Sequence, residues 1–153
     1  MTTMPDPASA PVVEFRNVSV RFGAFTAVHE VSFRIHDNWD RGEFVTIIGP
    51  SGCGKSTVLN CIAGFLEPSD GEVLVRGERV RGPGRDRGMI FQQYSSFPHL
   101  TVLENVMFGL EINGLEENGA ARRRRAEGVL EQVSLADHLR KYPHQLSGGQ
   151  QQR

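Results

Sequence analysis

The sequence predicts an α/β fold, and three features of its pattern carry that prediction. Apolar and polar residues alternate from Val12 to Phe22 and again from Val28 to Ile35, as in antiparallel strands with one buried face. A short apolar run from Glu43 to Ile48, typical of a buried strand, then leads through a glycine-rich loop into an amphipathic helix. Helical periodicity dominates the second half of the chain. We therefore expect strands first, a strand, loop and helix next, and further helices after them.

Length and composition are those of one ordinary globular domain. The chain has 153 residues, of which 39% are hydrophobic and 23% charged, and its formal net charge is -1. With a net charge so near zero, the chain as a whole has no electrostatic field that would attract nucleic acid, so any anion-binding site must come from a local group of residues. The two cysteines are too few for a disulfide framework, and no apolar run approaches the roughly 18 residues of a membrane helix. These features favour a protein of a reducing compartment without a membrane span of its own.

The expected domain boundaries follow from the local composition. Residues 1–11 are small, polar and proline-rich without the pattern of a secretory signal, and we expect a flexible tail there. Residues 12–153 form the expected domain, with a helical subdomain over approximately 95–145. The polar stretch from His36 to Gly42 is interpreted as a hairpin loop.

Shorter elements are predicted between and after these features. The helix after the glycine loop is expected to end near Gly64 and to bury one face, formed by Val58, Leu59, Ile62 and Phe65. Two short strands are expected around Gly77, and another strand from Arg87 to Gln92.

Two longer helices are expected in the second half of the chain. Thr101 and Glu104 form a capping pair before a helix that reaches Leu110. A helix from about Asn118 to Val133 should turn four residues inward, namely Ala126, Val129, Leu130 and Val133. Ser147 is well placed to cap a last helix.

The glycine-rich loop carries the strongest chemical signal in the sequence. Gly49, Gly54, Lys55 and Ser56 fit the pattern G-x-x-x-x-G-K-[ST], in which successive backbone N–H groups and a helix N-terminus surround phosphate oxygens. Lys55 would reach the β- and γ-phosphates, Ser56 would ligate Mg²⁺, and Thr57 would reach the α-phosphate. The predicted phosphate cradle consists of Gly49, Pro50, Ser51, Gly52, Cys53, Gly54, Lys55, Ser56 and Thr57.

Neither cysteine is assigned chemistry. A reactive thiol at Cys53 is conceivable because it lies in the loop, but a small residue filling one variable position of the pattern is favoured. Cys61 falls on the following helix and is interpreted as an inert core thiol.

The cradle alone does not separate a GTPase, a small-molecule kinase and a transport ATPase. No NKxD stretch that would read guanine occurs, whereas LSGGQ does. With GPSGCGKST, IFQQ and QLSGGQQQR in this order, the chain resembles the ATP-binding subunits of ABC transporters from Val12 to Arg153. The resemblance implies an α/β P-loop NTPase fold with an N-terminal antiparallel β subdomain, a P-loop core and a helical subdomain, lacking the C-terminal core strands.

The resemblance also implies roles for residues outside the cradle. In the family the LSGGQ signature completes the ATP site of the opposite subunit in a head-to-tail dimer. Gln92 matches the glutamine that contacts Mg²⁺ and the attacking water, and Phe22 the aromatic residue that stacks on adenine, with Phe25 as the alternative. The signature residues are Leu146, Ser147, Gly148, Gly149 and Gln150.

Further expectations concern the partners. Residues 79–115 look like those of the nitrate, sulfonate and taurine importer branch, although Pro98 and His99 stand where that branch often has Pro-Trp. A transmembrane permease is therefore the expected second partner, facing residues 94–110 with Phe97 and Leu100 as candidate contacts. This places the chain in the cytoplasm on the inner face of the membrane.

Two alternatives remain open at this point. The family's Mg²⁺-binding aspartate, catalytic glutamate and switch histidine follow the signature and do not occur before Arg153. We therefore expect a truncated or partial domain with uncertain ATPase activity, and a non-hydrolytic ATP-binding or interaction module is the alternative. The arginines 122–125 are interpreted as a solvated helix face rather than a nucleic-acid site.

Overall fold

A computed structural model describes residues 10–36, 42–93, 95–115 and 118–153. The chain divides into two compact units, the first reaching Met89 and the second beginning at Ile90. Most of the expected tail and of the loop expected from His36 to Gly42 lies outside the described residues, so both stay predictions.

The first unit is built on an antiparallel sheet. Its strands are β1 (Val13–Phe22), β2 (Phe25–Ile35), β3 (Asp70–Val75) and β4 (Glu78–Arg79), in the order β2-β1-β3-β4. The first hairpin is tighter than the sequence predicts, because Phe22 pairs directly with Phe25 and leaves only two residues in the turn. The predicted pair of short strands around Gly77 is confirmed as β3 and β4.

Helix α1 (Lys55–Ala63) packs on this sheet and closes the core. Phe15, Val18 and Val73 are buried beneath it, and Phe15 stacks on Phe33 with ring centroids 4.5 Å apart. Cys61 is 1% exposed in the same cluster, and burial raises the pKa of its thiol. The prediction of an inert core thiol at this position agrees with both observations.

Of the four residues predicted to form the buried face of α1, two pack against the core and two are exposed. Val58 and Ile62 pack against the core, whereas Leu59 and Phe65 are 46% and 52% exposed. A helix turns about 100° per residue, so the face centred on the buried Cys61 includes Val58 and Ile62 but excludes Leu59.

Two predicted strands are wrong. Residues 43–48 and 87–92 form no strand, and their apolar side chains face solvent, with Phe44 95% exposed and Ile90 91% exposed. The apolar pattern describes a segment that needs burial on both faces, but a strand also needs a hydrogen-bonding neighbour. Among the described residues, no strand pairs with either segment.

The second unit is helical, as predicted. It contains helices α2 (Val102–Ile112), α3 (Gly119–Gln132) and α4 (Gly148–Gln152), with two short 3₁₀ turns, Ala136–His138 and Pro143–Gln145, between α3 and α4. The core between α2 and α3 contains Val102, Leu103, Ala126, Leu130 and Leu135. Burial of Ala126 and Leu130 confirms the predicted inward face of α3, although Val129 is 42% exposed.

The helix starts of this unit are read correctly from the sequence. Thr101 caps α2 in a capping box with Glu104, whose pKa is lowered by the hydrogen bond from the Thr101 side chain. Asn118 accepts from the Ala120 N–H at the start of α3, and Ser147 caps α4.

A carboxylate buried on the sheet was not predicted from the sequence. The Glu14 side chain is 4% exposed and accepts hydrogen bonds from Arg16 at 2.8 Å and Arg34 at 2.6 Å. Arg16 also donates to Glu72 at 2.8 Å, which links β1, β2 and β3. The hydrogen bond from Arg16 is the largest cause that holds the pKa of Glu14 below its usual range.

We expect Glu14 to make the stability of the sheet sensitive to acid. A carboxyl whose pKa is lower in the folded state stabilises the fold above its unfolded pKa, and this contribution disappears as the pH falls through the folded value. Urea unfolding should therefore show Glu14→Gln less stable than the unaltered chain at pH 7, with the difference shrinking as the pH falls below the ordinary glutamate pKa of 4.5. Glu78→Gln, on an exposed strand outside the cluster, is the control. A difference that is constant with pH would contradict the assignment.

Candidate functional site

The predicted cradle is a tight turn between residues 42–50, which form no helix or strand, and helix α1. Gly52 and Gly54 have φ angles of 81° and 93°, which side-chain-bearing residues rarely adopt. Gly54 also packs closely on β2, since a Cβ there would lie 2.7 Å from the carbonyl oxygen of Ala27. Gly54 is therefore required both by its backbone angle and by the lack of space.

Lys55 folds back over the loop that precedes it. Its ammonium donates to the carbonyl oxygens of Gly49 at 2.9 Å and Pro50 at 2.7 Å, and lies 3.8 Å from the Cys53 Sγ. A Cβ on Gly49 would lie 2.6 Å from the same sulfur, so the two ends of the loop touch. The arrangement places one positive charge at the centre of the loop.

The start of α1 is open to an anion. Gly54 is its N-cap residue, no side chain caps it, and its first turn carries no acidic residue. The aligned peptide dipoles of the nine-residue helix place roughly half a positive charge at this end. No protein carboxylate in the described first turn competes for the position, which suits phosphate oxygens.

Most of the predicted cradle residues are accessible from solvent. Pro50, Ser51, Gly52, Cys53 and Ser56 are exposed, and Thr57 is half-buried in the first turn. The Ser56 hydroxyl would be the cradle's Mg²⁺ ligand. In the described part of the chain, no group of three His, Cys, Asp or Glu side chains could hold a metal ion by itself.

The two candidate adenine-stacking residues lie at the tip of the first hairpin. Phe22 and Phe25 are cross-strand neighbours that are 52% and 62% exposed, so both rings are available to a ligand. Their hairpin includes Ala27, against which Gly54 packs. The structure therefore brings β2 to the cradle but does not choose between the two phenylalanines.

Gln92 lies in the second unit, on an exposed irregular segment. Phe97 follows it and makes an edge-to-face contact with Phe108, at a centroid distance of 4.9 Å. Asn105 was missed in the sequence, yet its side chain fixes this loop through Phe97 N–H, at 2.7 Å, and through the carbonyl of Leu100, at 3.1 Å. The sequence gives one sign that Asn105 could hold this loop. It directly follows Glu104 of the capping box, in the first turn of an amphipathic helix.

The signature residues gather around the start of α4. Ser147 caps the helix, and its own N–H donates to the Gln150 side-chain oxygen at 2.9 Å. Gly148 and Gly149 are exposed and Leu146 packs against the core of the unit. The Nε2 atom of His138 lies 2.9 Å from the Gln150 amide nitrogen.

The arginine-rich face of α3 and the length of the helices bear on possible partners. Arg123 pairs with Glu127 at 2.8 Å and its side chain is 54% exposed, which suits the predicted solvated face of α3. Arg122 does not fit that face, because its side chain is only 18% exposed and pairs with Glu111 at 3.3 Å. None of the helices described here has the length and apolar character needed to cross a bilayer.

Comparison with known proteins extends the sequence resemblance. A putative ATP-binding protein of Brucella abortus (strain 2308) is 48% identical over 143 residues, which are 94% of this chain and 53% of that protein. The spermidine/putrescine import ATP-binding protein PotA of Rubrobacter xylanophilus is 48% identical over 144 residues, 92% of this chain and 37% of PotA. The Fe(3+) ions import ATP-binding protein FbpC of Brucella suis is 46% identical over 144 residues, 92% of this chain and 39% of FbpC. The chain thus spans about half or less of these relatives' length.

Solved structures agree with the fold prediction. The dimeric structure of MJ0796, described as a bacterial ABC transporter cassette, superimposes with a TM-score of 0.77 at 34% identity, covering 91% of this chain and 65% of that one. A post-hydrolysis state of the same cassette, bound to ADP and Pi, gives 0.75 at 36% identity with the same coverage. The α/β P-loop fold of an ABC nucleotide-binding domain is therefore confirmed.

The phosphate cradle and the signature turn, in this order and on this fold, agree with the sequence model described as ABC transporter, which matches residues 28–153. The chain belongs to the ABC transporter family, as part of its ATP-binding domain.

Proposed function

We propose that this chain is the nucleotide-binding part of an ABC importer subunit that couples ATP binding and hydrolysis to solute transport. The observation that carries the proposal is the Lys55 ammonium, held by the carbonyl oxygens of Gly49 and Pro50 beside an uncapped helix start. This combination favours an anionic ligand such as a triphosphate. The ADP and Pi in the MJ0796 cassette support an adenine nucleotide as the ligand.

Each residue of the site has a distinct task in this proposal. Backbone N–H groups of the cradle and Lys55 would hold the phosphates, Ser56 would ligate Mg²⁺, and Phe22 or Phe25 would stack on the base. By resemblance to the family, Gln92 would contact Mg²⁺ and the attacking water. The bound Mg²⁺ and ATP would supply the phosphoryl-transfer chemistry.

The partners are proposed from the relatives. Two of them are named as importer ATP-binding proteins and one solved relative is dimeric, which supports a second ATP-binding subunit and a permease as partners. Such an arrangement places the chain on the cytoplasmic face of the membrane. The loop from residue 95 to 101, shaped by Asn105, is the proposed permease contact, with Phe97 exposed.

The transported solute is a finer proposal. The assignment to the nitrate, sulfonate and taurine branch rests on residues 79–115 of the sequence. The relatives with named solutes are spermidine/putrescine and Fe(3+) importers, and they do not support that branch. What the comparisons support is the importer class.

A mixing experiment tests the head-to-tail dimer. In such a dimer each ATP site uses Lys55 of one subunit and Ser147 of the other. Lys55→Ala weakens the cradle, and Ser147→Asp keeps a good helix cap while placing a negative charge opposite the triphosphate. At an MgATP concentration just sufficient to dimerise the unaltered chain, we expect neither variant alone to dimerise in sedimentation, whereas their mixture should, because it forms one intact site.

Ser134→Asp is the matched control, since it adds the same charge at an exposed serine outside the signature. It should dimerise like the unaltered chain. A mixture that stays monomeric while the unaltered chain dimerises would refute the composite site, and an unaltered chain that stays monomeric with MgATP would refute ATP-driven dimerisation.

A further inference from the structure

Gln150 makes two hydrogen bonds to Ser147 in the signature turn, one through its side chain and one through its backbone. Its oxygen accepts from the Ser147 N–H at 2.9 Å, while its backbone N–H donates to the Ser147 hydroxyl at 3.4 Å. This reciprocal pair is the capping box of α4. It requires that the amide oxygen of Gln150 face Ser147, so the amide nitrogen must face the other way.

The amide nitrogen faces His138. The Gln150 Nε2 lies 2.9 Å from the His138 Nε2, in a partly buried position. An amide nitrogen only donates, so the His138 Nε2 must accept, and the ring proton must then sit on Nδ1. The Nδ1 atom is buried and has no hydrogen-bond partner among the described residues.

This orphaned donor separates two explanations of His138. A histidine that served only to stabilise the unit would be expected to pair both ring nitrogens, because an unpaired buried donor is unfavourable. Among the described residues, Gln150 is the only hydrogen-bond partner of the ring. This favours a role of His138 in orienting that one amide.

We infer that His138 is a positioning residue for the signature turn, because it fixes the Gln150 amide in the orientation that caps Ser147. If the amide turned over, its NH₂ group would face the Ser147 N–H and the cap would be lost, since two donors cannot pair. Neighbouring Gln151 cannot replace it, because its amide nitrogen donates to the Leu146 carbonyl at 3.0 Å. The functional consequence rests on the proposed role of the signature turn in the ATP site.

Two substitutions of His138 test the inference by NMR amide exchange in the full chain. His138→Leu keeps an apolar side chain but removes the acceptor, and the Ser147 N–H should exchange about fivefold faster, the factor that one neutral hydrogen bond contributes. His138→Gln places an amide oxygen near the former Nε2 and should keep exchange within about twofold of the unaltered chain. The melting temperature should not fall in His138→Leu, because the orphaned donor is removed as well.

Gln150→Met supplies a double-mutant cycle. The methionine can neither accept from the Ser147 N–H nor pair with His138, so His138→Leu should have no further effect on Ser147 exchange in this background. An equal effect of His138→Leu in both backgrounds, or unchanged Ser147 exchange in His138→Leu, would overturn the inference.

The functional arm uses the MgATP-dependent dimer. His138→Leu should weaken that dimer about fivefold and His138→Gln should restore it, if the signature turn completes the ATP site. Failure of the unaltered chain to dimerise would refute the proposed dimer, and the exchange measurements would still decide on His138. A normal dimer of His138→Leu with faster Ser147 exchange would overturn the functional consequence.

Discussion

Replacing Lys55 with alanine is expected to weaken binding of MgATP by about 10- to 100-fold, the range of a hydrogen bond to a charged group. The change removes the ammonium that lies 2.9 Å and 2.7 Å from the Gly49 and Pro50 carbonyl oxygens, and with it the positive charge at the centre of the cradle. The helix start and the glycine N–H groups remain, so binding should be weakened rather than abolished. Calorimetric titration of the full chain measures the loss.

The chain offers a close control for this substitution. Lys141 is its only other lysine and is exposed in the second unit, so Lys141→Ala removes the same charge elsewhere. Its affinity for MgATP should equal that of the unaltered chain. Affinity for AMP should change little in either variant, because Lys55 is assigned to the β- and γ-phosphates. Equal affinity of Lys55→Ala and the unaltered chain for MgATP would show that the cradle is wrongly assigned.

Local patterns predicted the parts of the fold that depend on local physics. The glycines of the cradle follow from backbone angles that only glycine adopts easily, and the caps at Thr101 and Ser147 follow from side chains that reach N–H groups three residues away. Helix α3 was placed to within one residue at each end for the same reason. These interactions span fewer than five residues, so the sequence displays them directly.

The errors concern interactions between distant segments. Residues 43–48 have the composition of a buried strand, but a strand requires a neighbour, and the apolar run does not say where that neighbour lies. The Glu14 cluster joins β1, β2 and β3 through side chains up to 58 positions apart in sequence, which no periodicity reveals. The contact of His138 with Gln150 depends in the same way on how two short turns fold together.

Replacing Gly64 with alanine is expected to destabilise the first unit by at least about 2 kcal/mol. Gly64 ends α1 with a φ of 80°, and its Cβ would overlap the backbone carbonyl of Gly82, which is not the end of a flexible side chain. The left-handed angle alone costs an alanine about 1–2 kcal/mol, and the displaced backbone at Gly82 adds to that. Thermal unfolding of the full chain should show a melting temperature lower by about 5 °C or more.

Gly77→Ala separates the two contributions. Gly77 has nearly the same φ, 81°, but a Cβ there would lie 3.5 Å from the nearest atom, an ordinary contact. Gly77→Ala should therefore lose only the free energy of placing an alanine in the left-handed conformation, partly offset by the lower entropy of its unfolded chain. Its melting temperature should be no more than about 3 °C lower than that of the unaltered chain. Equal decreases in melting temperature for Gly64→Ala and Gly77→Ala would mean that the backbone at Gly82 can move without a measurable loss of stability. A larger loss at Gly64 would show that the far end of α1, nine residues from Lys55, is held by backbone packing, so the position of the cradle depends on it.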